Sequence, residues 1–178
     1  MGSPNLDKRL LRFRTRAGQE DAAALARDLL DASRHADASD VVDKALKQSP
    51  EDGQLLLLDG RARFAGGDLL GAQAALLKAA RSLPRDKEPF RWLGEVLLER
   101  GDPGRAVKVL QRARAIDPND RAIHLLEERA RRLGEVAARA GSEEAARQAA
   151  QAFEKNDSDV PEERTAIRSD LTDRKSTR

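Results

Sequence analysis

Few residues of this chain could carry out catalysis or bind a metal ion. It has no cysteine, which excludes disulfides and thiolate metal sites, and its two histidines, His35 and His124, are far apart. Gly66, Gly67 and Gly71 lie close together, but the Lys-Ser/Thr pair of a phosphate-binding loop does not follow them. Aspartate and glutamate pairs are abundant, but on charged helices they usually form solvated faces. The sequence therefore predicts a protein that is not an enzyme and has no catalytic residue, cofactor or metal ion.

The chemistry that remains is surface charge. Charged residues make up 36% of the chain and hydrophobic residues 39%, a balance typical of helices with one apolar stripe. The net charge of +2 does not favour a nucleic-acid partner. Residues 1–16 are locally basic, with Leu6, Leu10, Leu11 and Phe13 interleaved. We interpret this arm as a short helix that caps the first helical unit. The alternative is an anion-binding module for an acidic membrane or nucleic acid.

Nothing in the sequence predicts a membrane span or a secretory signal. The longest apolar run is the four leucines at 55–58, whereas a bilayer requires roughly 20 apolar residues. The first four residues lead into charged residues rather than an apolar stretch. We therefore expect a cytoplasmic protein. The many arginines and alanines are typical of a GC-rich bacterial genome.

A repeat of 34 residues organises the chain. Pro50, Pro84 and Pro118 are each 34 positions apart. Four further columns keep the same register: a small residue, and two alanines seven positions apart with an apolar residue between them. These columns are Ala26, Gly60 and Gly94; Ala38, Ala72 and Ala106; Val42, Leu76 and Leu110; and Ala45, Ala79 and Ala113. Small residues let two helices approach closely, and each proline ends a second helix. Each unit is therefore predicted to be a pair of helices.

Turn residues predict where these helices begin and end. Asp102 followed by Pro103 predicts an N-cap with proline in the first turn, and Asp68 and Asp37 are expected to open the equivalent helices. The glycine before Asp68 and the glycine before Asp102 end the preceding helices. The predicted helices are 19–32, 37–48, 53–66, 69–82, 87–100 and 103–116.

Helix–turn–helix units of 34 residues resemble the tetratricopeptide repeat family, and the motif Asp-Pro-Asn-Asp at 117–120 strengthens the resemblance. Residues 87–120 fit the family pattern best, with Phe90 where the family often has tryptophan. The resemblance implies an all-α solenoid, a right-handed superhelix of antiparallel helix pairs. It also implies a non-catalytic scaffold or adaptor that binds another protein.

The other two repeats depart from the family pattern at identifiable positions. Residues 53–86 fit except at Asp59 and Arg63, where larger apolar residues are usual. Residues 19–52 diverge most, and Ser33 replaces the turn glycine.

Beyond the repeats we expect a charged helix that ends at Gly141-Ser142, and then an alanine-rich helix over 142–155. The predicted organisation is a basic N-terminal arm or short helix at 1–18, three repeats at 19–52, 53–86 and 87–120, capping helices or a degenerate fourth unit at 121–155, and a disordered tail at 156–178.

The resemblance also implies a partner-binding groove on the concave side, where the first helix of each repeat lies. Counting from the small residue of each repeat carries twelve positions onto this chain. They are Arg27, Leu30, Gln54, Leu57, Arg61, Phe64, Arg91, Trp92, Glu95, Leu98, Arg129 and Arg132.

Arg27, Arg61 and Arg129 occupy equivalent positions in this set, with Glu95 interrupting the row. Beside aromatic residues, such a ladder would suit an acidic peptide or helix of a partner protein. In the alternative interpretation the arginines are surface charges that pair with nearby acids, and the tryptophan packs between helices. The acids in question are Asp28, Asp31 and Asp59.

One known mode of binding in the family does not fit this sequence. Some members hold the C-terminal carboxylate of heat-shock chaperones with a lysine, asparagine and arginine clamp. Here Arg27 and Arg61 stand where asparagine is expected, and Ala23 stands where lysine is expected. We therefore do not expect that clamp. A third possibility is self-association through the end helices, and the oligomeric state is left open.

Overall fold

A computed structural model describes residues 4–15 and 21–158, which form eight helices and no strand. The helices are α1 (Pro4–Thr15), α2 (Ala22–Asp31), α3 (His35–Leu46), α4 (Gly53–Ala65), α5 (Leu69–Ser82), α6 (Lys87–Glu99), α7 (Pro103–Ile116) and α8 (Arg121–Ser158). Consecutive helices pair as α2 with α3, α4 with α5, and α6 with α7. The first helices of neighbouring pairs also touch, α2 against α4 and α4 against α6. The fold is an all-α solenoid, as the sequence predicts.

The chain divides into two compact units, residues 1–134 and residues 135–178. The first contains the paired helices, the beginning of α8 and three clusters of buried apolar side chains. The second contains the remainder of α8, where every side chain that the structure describes, at 135–148 and 151, is exposed. No helix in the described part of the chain is both long and apolar enough to cross a membrane.

Aspartate side chains fix the starts of most helices. Asp68 accepts a hydrogen bond from the Gly71 amide and Asp102 accepts one from the Arg105 amide, so both predicted N-caps are confirmed. The prediction for Asp37 is wrong. Helix α3 begins two residues earlier, after Arg34, and the Asp37 carboxylate accepts a hydrogen bond from the Arg34 side chain instead. A carboxylate within the first turn is still stabilised by the helix dipole.

The turns between the two helices of each repeat require a left-handed residue. Gly67 and Gly101 have φ angles of 82° and 72°, and Ser33 has a φ of 59° at the equivalent position. Glycine adopts this conformation without steric cost, whereas serine does so with strain. Ser33 therefore replaces the turn glycine in the manner that the sequence predicts.

Close helix packing explains the column of small residues. A Cβ atom on Gly94 would lie 2.5 Å from Leu110 Cδ2, and one on Gly60 would lie 2.4 Å from Leu76 Cγ. Both distances are far below van der Waals contact, so α4 can pack on α5, and α6 on α7, only because these positions lack a side chain. In the first repeat Ala26 is tolerated at this position, where the apolar column has the smaller Val42.

Helix α1 packs on the first repeat through three of its four apolar residues. Leu10 and Phe13 are buried in one cluster with residues of α2, α3 and α4, and Leu6 packs against it. Leu11 is 63% exposed and takes no part. The N-terminal cap is thus observed for Leu10 and Phe13. Arg16 and the rest of residues 16–20 lie outside the described residues.

The C-terminal helix differs from the prediction. We expected a break at Gly141-Ser142, but α8 is continuous from Arg121 to Ser158. The Ser142 hydroxyl donates to the Arg139 carbonyl at 2.8 Å, so serine is accommodated inside the helix rather than at a cap. Gly141 is not among the glycines with positive φ, and without that conformation it does not end a helix. The tail predicted for 156–178 begins too early, because residues 156–158 belong to α8, and the rest of it lies outside the described residues.

Candidate partner-binding face

The twelve predicted groove residues lie on the first helix of each repeat and on the beginning of α8. Helix α2 carries Arg27 and Leu30; α4 carries Gln54, Leu57, Arg61 and Phe64; α6 carries Arg91, Trp92, Glu95 and Leu98; α8 carries Arg129 and Arg132. We call these twelve positions together the first-helix face. The structure brings Arg61, Phe64, Arg91 and Trp92 into direct contact.

Trp92 is the centre of this cluster. Its ring meets Phe64 edge to face, with 6.0 Å between the ring centres. The guanidinium carbon of Arg61 lies 5.0 Å from the centre of the Trp92 ring, and that of Arg91 lies 4.5 Å from it. Each such cation–π contact contributes about 0.5–1 kcal/mol when partly exposed. Trp92 and Phe64 also pack on a buried cluster and keep part of their surface accessible.

Acidic side chains hold the two arginines in place. Arg91 binds Glu88 at 2.8 Å and Glu95 at 3.0 Å, both on its own helix. Arg61 binds Asp31 of the preceding repeat at 3.3 Å. Burial raises the pKa of Glu95, and the positive charge of Arg91 opposes this. The two arginines are therefore held by partly exposed ion pairs within the chain, which contribute little to stability.

The equivalent positions 27, 61, 95 and 129 form different ion pairs in the different repeats. Arg129 binds Glu99 at 3.2 Å, thirty positions back, as Arg61 binds Asp31. In the third repeat, Glu95 stands at the position of the arginine and Ala65 at the position of its acidic partner, so this ion pair cannot form there. Arg27 has no repeat before it, and within residues 4–15 and 21–158 no carboxylate lies within ion-pair distance of it. The Arg27 side chain is exposed.

Only one of the three acids in the alternative interpretation pairs with a ladder arginine. Asp31 binds Arg61 as that interpretation expects. Asp28 instead binds Arg9 of α1, and Asp59 binds Arg63 of its own helix. Among the described residues, Arg61 and Arg129 thus form ion pairs and Arg27 has none.

Four of the other predicted residues have mainly structural contacts. Leu30, Leu57 and Leu98 are buried in the apolar clusters and present little surface to a partner. The Gln54 amide nitrogen donates to Asp86 at 3.5 Å, which ties α4 to the residue that caps α6.

Arg132 is largely exposed. Its side chain is 76% exposed and binds Glu128 one turn away at 3.1 Å. Such an exposed pair contributes little to stability.

Sequence reasoning missed two acids that bind predicted arginines. Glu88 binds Arg91 and Glu99 binds Arg129, and neither was predicted, whereas Asp31 was named in the alternative interpretation. The separation of thirty positions that Asp31 and Arg61 share with Glu99 and Arg129 is a signal that could have revealed Glu99.

Several charges of the N-terminal arm pair with charges of the first repeat. Arg9 binds Asp28, Arg14 binds Asp37 at 3.1 Å, and Arg34 reaches back to Asp7 of the arm. These pairs and the buried apolar residues dock α1 on the first repeat. In the described part of the chain no cluster of histidine, aspartate or glutamate is arranged to hold a metal ion.

Comparison with known proteins agrees with this architecture. The family model described as the tetratricopeptide repeat matches residues 23–86 and 57–121. The first tetratricopeptide domain of Spaghetti (RPAP3) bound to the HSP90 peptide SRMEEVD is 14% identical, with a TM-score of 0.59 over 66% of this chain and 90% of that chain. The Sgt2 domain from Aspergillus fumigatus is 19% identical, with a TM-score of 0.62 over 77% of this chain and 83% of that one.

A further solved structure contains a partner segment. PcrH in complex with the chaperone binding region of PopD is 24% identical, with a TM-score of 0.55, covering 66% of this chain and 90% of that one. At these identities the likeness concerns the fold. No curated protein matches the sequence.

Proposed function

The chain belongs to the tetratricopeptide repeat family, and we propose that it is a non-catalytic scaffold or adaptor whose first-helix face binds an acidic peptide or helix of a partner protein. Proteins of this family are generally interaction modules without catalytic activity.

The arrangement around Trp92 is the observation that carries this proposal. An indole ring flanked by Arg61 and Arg91, with Phe64 at its edge, combines apolar surface with two guanidinium groups. Tryptophan and arginine are the residues most enriched in binding hot spots, because they bury a large area while making directional hydrogen bonds. A ligand that supplies one carboxylate and one apolar side chain would satisfy this cluster.

The structural relatives supply examples of such binding in the same fold. The RPAP3 domain holds an HSP90 peptide, and PcrH holds the chaperone binding region of PopD. These examples support a peptide or helix as the ligand class here. The chaperone-tail clamp does not transfer, because Ala23, Arg27 and Arg61 replace its lysine and asparagines. We therefore propose that internal carboxylates of the ligand, rather than its C-terminus, are recognised.

Charge reversal with a matched control tests this function. The test variant is Arg27→Glu, Arg61→Glu and Arg129→Glu. The control, Arg85→Glu, Arg121→Glu and Arg139→Glu, makes the same change in net charge at exposed arginines outside the first-helix face. Each chain is used to capture proteins from native lysate, and the captures are compared by mass spectrometry.

A protein that the wild type and the control retain, but the test variant loses, supports the proposal. Identical captures from all three chains contradict it. Circular dichroism on each variant excludes a loss of helicity as the cause.

A further inference from the structure

A second apolar surface lies where α5, α6 and α7 meet, and none of the twelve residues of the first-helix face lines it. It is a pocket of about 440 Å³. Its apolar lining comprises Leu77, Ala80, Phe90, Leu93 and Val109. Leu77 is 40% exposed, unlike the buried leucines of the helix interfaces. We call this feature the α5–α7 pocket.

The rim of the α5–α7 pocket is positively charged. Arg81, Lys108 and Arg112 surround the opening. Within residues 4–15 and 21–158, none of the three has a carboxylate within ion-pair distance, although most other arginines of the repeats do. The guanidinium of Arg112 lies 5.4 Å from the centre of the Phe90 ring, so it covers part of the apolar floor. The pocket thus joins an apolar floor to three cations that have no counter-charge among the described residues.

The equivalent pocket one repeat earlier lacks this combination of an apolar floor and a positively charged rim, so the combination does not follow from repeat geometry alone. That pocket, of about 380 Å³, is lined at the corresponding positions by Asp59, where the α5–α7 pocket has Leu93, and by Ala74, where it has Lys108. Asp59 binds Arg63 at 2.8 Å, and this arginine also contacts two other aspartates. In the earlier pocket Asp59 and Arg63 therefore match each other and Lys78 is the one cation without an ion pair among the described residues, whereas the α5–α7 pocket has three such cations.

We propose that the α5–α7 pocket is a second docking site, and that its occupant is an acidic segment of a partner protein carrying one bulky apolar side chain. The apolar side chain fills the space between Leu77, Phe90 and Val109, and the flanking carboxylates bind the three rim cations. This site is separate from the first-helix face. The chain would then hold two segments at once, which is how a scaffold gains avidity.

Nuclear magnetic resonance on the full, ¹⁵N-labelled chain tests the site directly. The probe is a synthetic peptide, blocked at both ends, with glutamates on either side of one phenylalanine. Two control peptides replace the phenylalanine by alanine or the glutamates by lysines. We expect the probe to shift the amide signals of Leu77, Ala80 and Val109, and the controls to leave them unchanged.

Matched variants decide whether the rim charges act specifically. Arg112→Glu is expected to lower the affinity of the α5–α7 pocket for the probe peptide roughly tenfold, because the glutamates of the probe are then repelled rather than attracted at position 112. Lys78→Glu, at the equivalent position of the earlier pocket, is expected to leave that affinity unchanged. Both side chains are exposed, and Arg112→Glu also removes the guanidinium that lies against the Phe90 ring.

Several results would overturn the inference. One is the absence of shifts at the α5–α7 pocket, including the case in which only the first-helix face around Trp92 responds. Another is an equal effect of Arg112→Glu and Lys78→Glu. A third is equal binding of a short single-stranded oligonucleotide at the same amides, which would make the rim a general anion site. A response confined to the α5–α7 pocket supports the inference even if the first-helix face binds nothing.

Discussion

Asp59 accepts a hydrogen bond from Arg63 at 2.8 Å, one turn further along α4. The next repeat has Leu93 and Leu97 at these two positions, and the first repeat has leucine at both. The second repeat thus contains an ion pair where its neighbours have apolar packing. Removing one partner of such a pair leaves a buried charge uncompensated, whereas removing both restores the neighbours' arrangement.

This relationship predicts opposite effects for single and double substitutions. Arg63→Leu should destabilise the fold by about 2–3 kcal/mol, less than for a fully buried pair because Arg63 is 39% exposed. Asp59→Leu together with Arg63→Leu should be neutral or up to about 1 kcal/mol more stable than the wild type. Urea denaturation followed by circular dichroism measures both. A double variant less stable than Arg63→Leu would contradict this account of the pair.

We also expect the Asp59 carboxyl group to make the stability of the fold depend on pH. Burial raises the pKa of Asp59 above its usual value of 3.8, and Arg63 opposes the rise. A carboxyl group with a higher pKa in the folded chain than in the unfolded chain favours folding at low pH, and this contribution is lost as the pH rises through the folded pKa. Arg63→Leu removes the opposing charge, so its destabilisation should be larger at neutral pH than near the folded pKa.

Denaturation of Arg63→Leu at a series of pH values measures this difference, with the double leucine variant as the control that lacks the carboxyl group. A destabilisation by Arg63→Leu that is independent of pH, or that grows as the pH falls, would show that Asp59 is not the titrating group.

The small-residue column predicts a compensated pair of substitutions in the third repeat. Gly94→Ala places a Cβ 2.5 Å from Leu110 Cδ2, and such overpacking costs about 1–3 kcal/mol. Adding Leu110→Val should recover most of the loss, because the first repeat already combines Ala26 with Val42. Thermal denaturation measures each variant.

Gly104→Ala is the matched control for this experiment. No atom lies within 4 Å of a Cβ added at Gly104, so the change should stabilise α7 by roughly 0.5–1 kcal/mol through helix propensity. If Gly94→Ala stabilised the chain as Gly104→Ala does, the close approach of α6 and α7 would not be as tight as described.

Because the residues of the carboxylate clamp are replaced, we expect the affinity for a peptide not to depend on its C-terminal carboxylate. Ala23, Arg27 and Arg61 stand where the clamp has lysine and asparagine. An acidic peptide that binds the first-helix face should therefore bind equally well with a free or an amidated C-terminus. Trp92 is the only tryptophan of the chain, so its fluorescence can follow the titration. A strong preference for the free carboxylate would mean that Arg27 and Arg61 form a clamp of their own.

The fold could be predicted because a local structural requirement determines the residue type at each conserved position of the 34-residue repeat within this chain. The columns of Gly60 and Gly94, the aspartate caps and the prolines depend only on local geometry, which sequence spacing reveals. Helix α8 was predicted with a false break, because glycine ends a helix only if it adopts a left-handed conformation. Spacing does not reveal that conformation for Gly141.

The site was less predictable for a different reason. Register placed Arg61 and Trp92 on the same face, but their contact depends on how α4 and α6 pack. The acids that pair with Arg61 and Arg129, Asp31 and Glu99, lie thirty positions earlier in the chain. The α5–α7 pocket was not predicted at all, because three elements distant in sequence form it and its rim residues appear in the sequence as ordinary surface charge.

Site-specific photo-cross-linking tests the central claim, that the first-helix face holds the partner. Benzoylphenylalanine replaces Phe64 beside Trp92 in one chain, and in a control chain it replaces Leu70, which is 69% exposed on α5 and belongs to neither proposed site. Both chains are irradiated in native lysate and the adducts are compared by mass spectrometry. The account predicts a discrete adduct from position 64 that is absent from position 70. Adducts that are the same at both positions, or absent at position 64 while the chain still captures its partner, would contradict it.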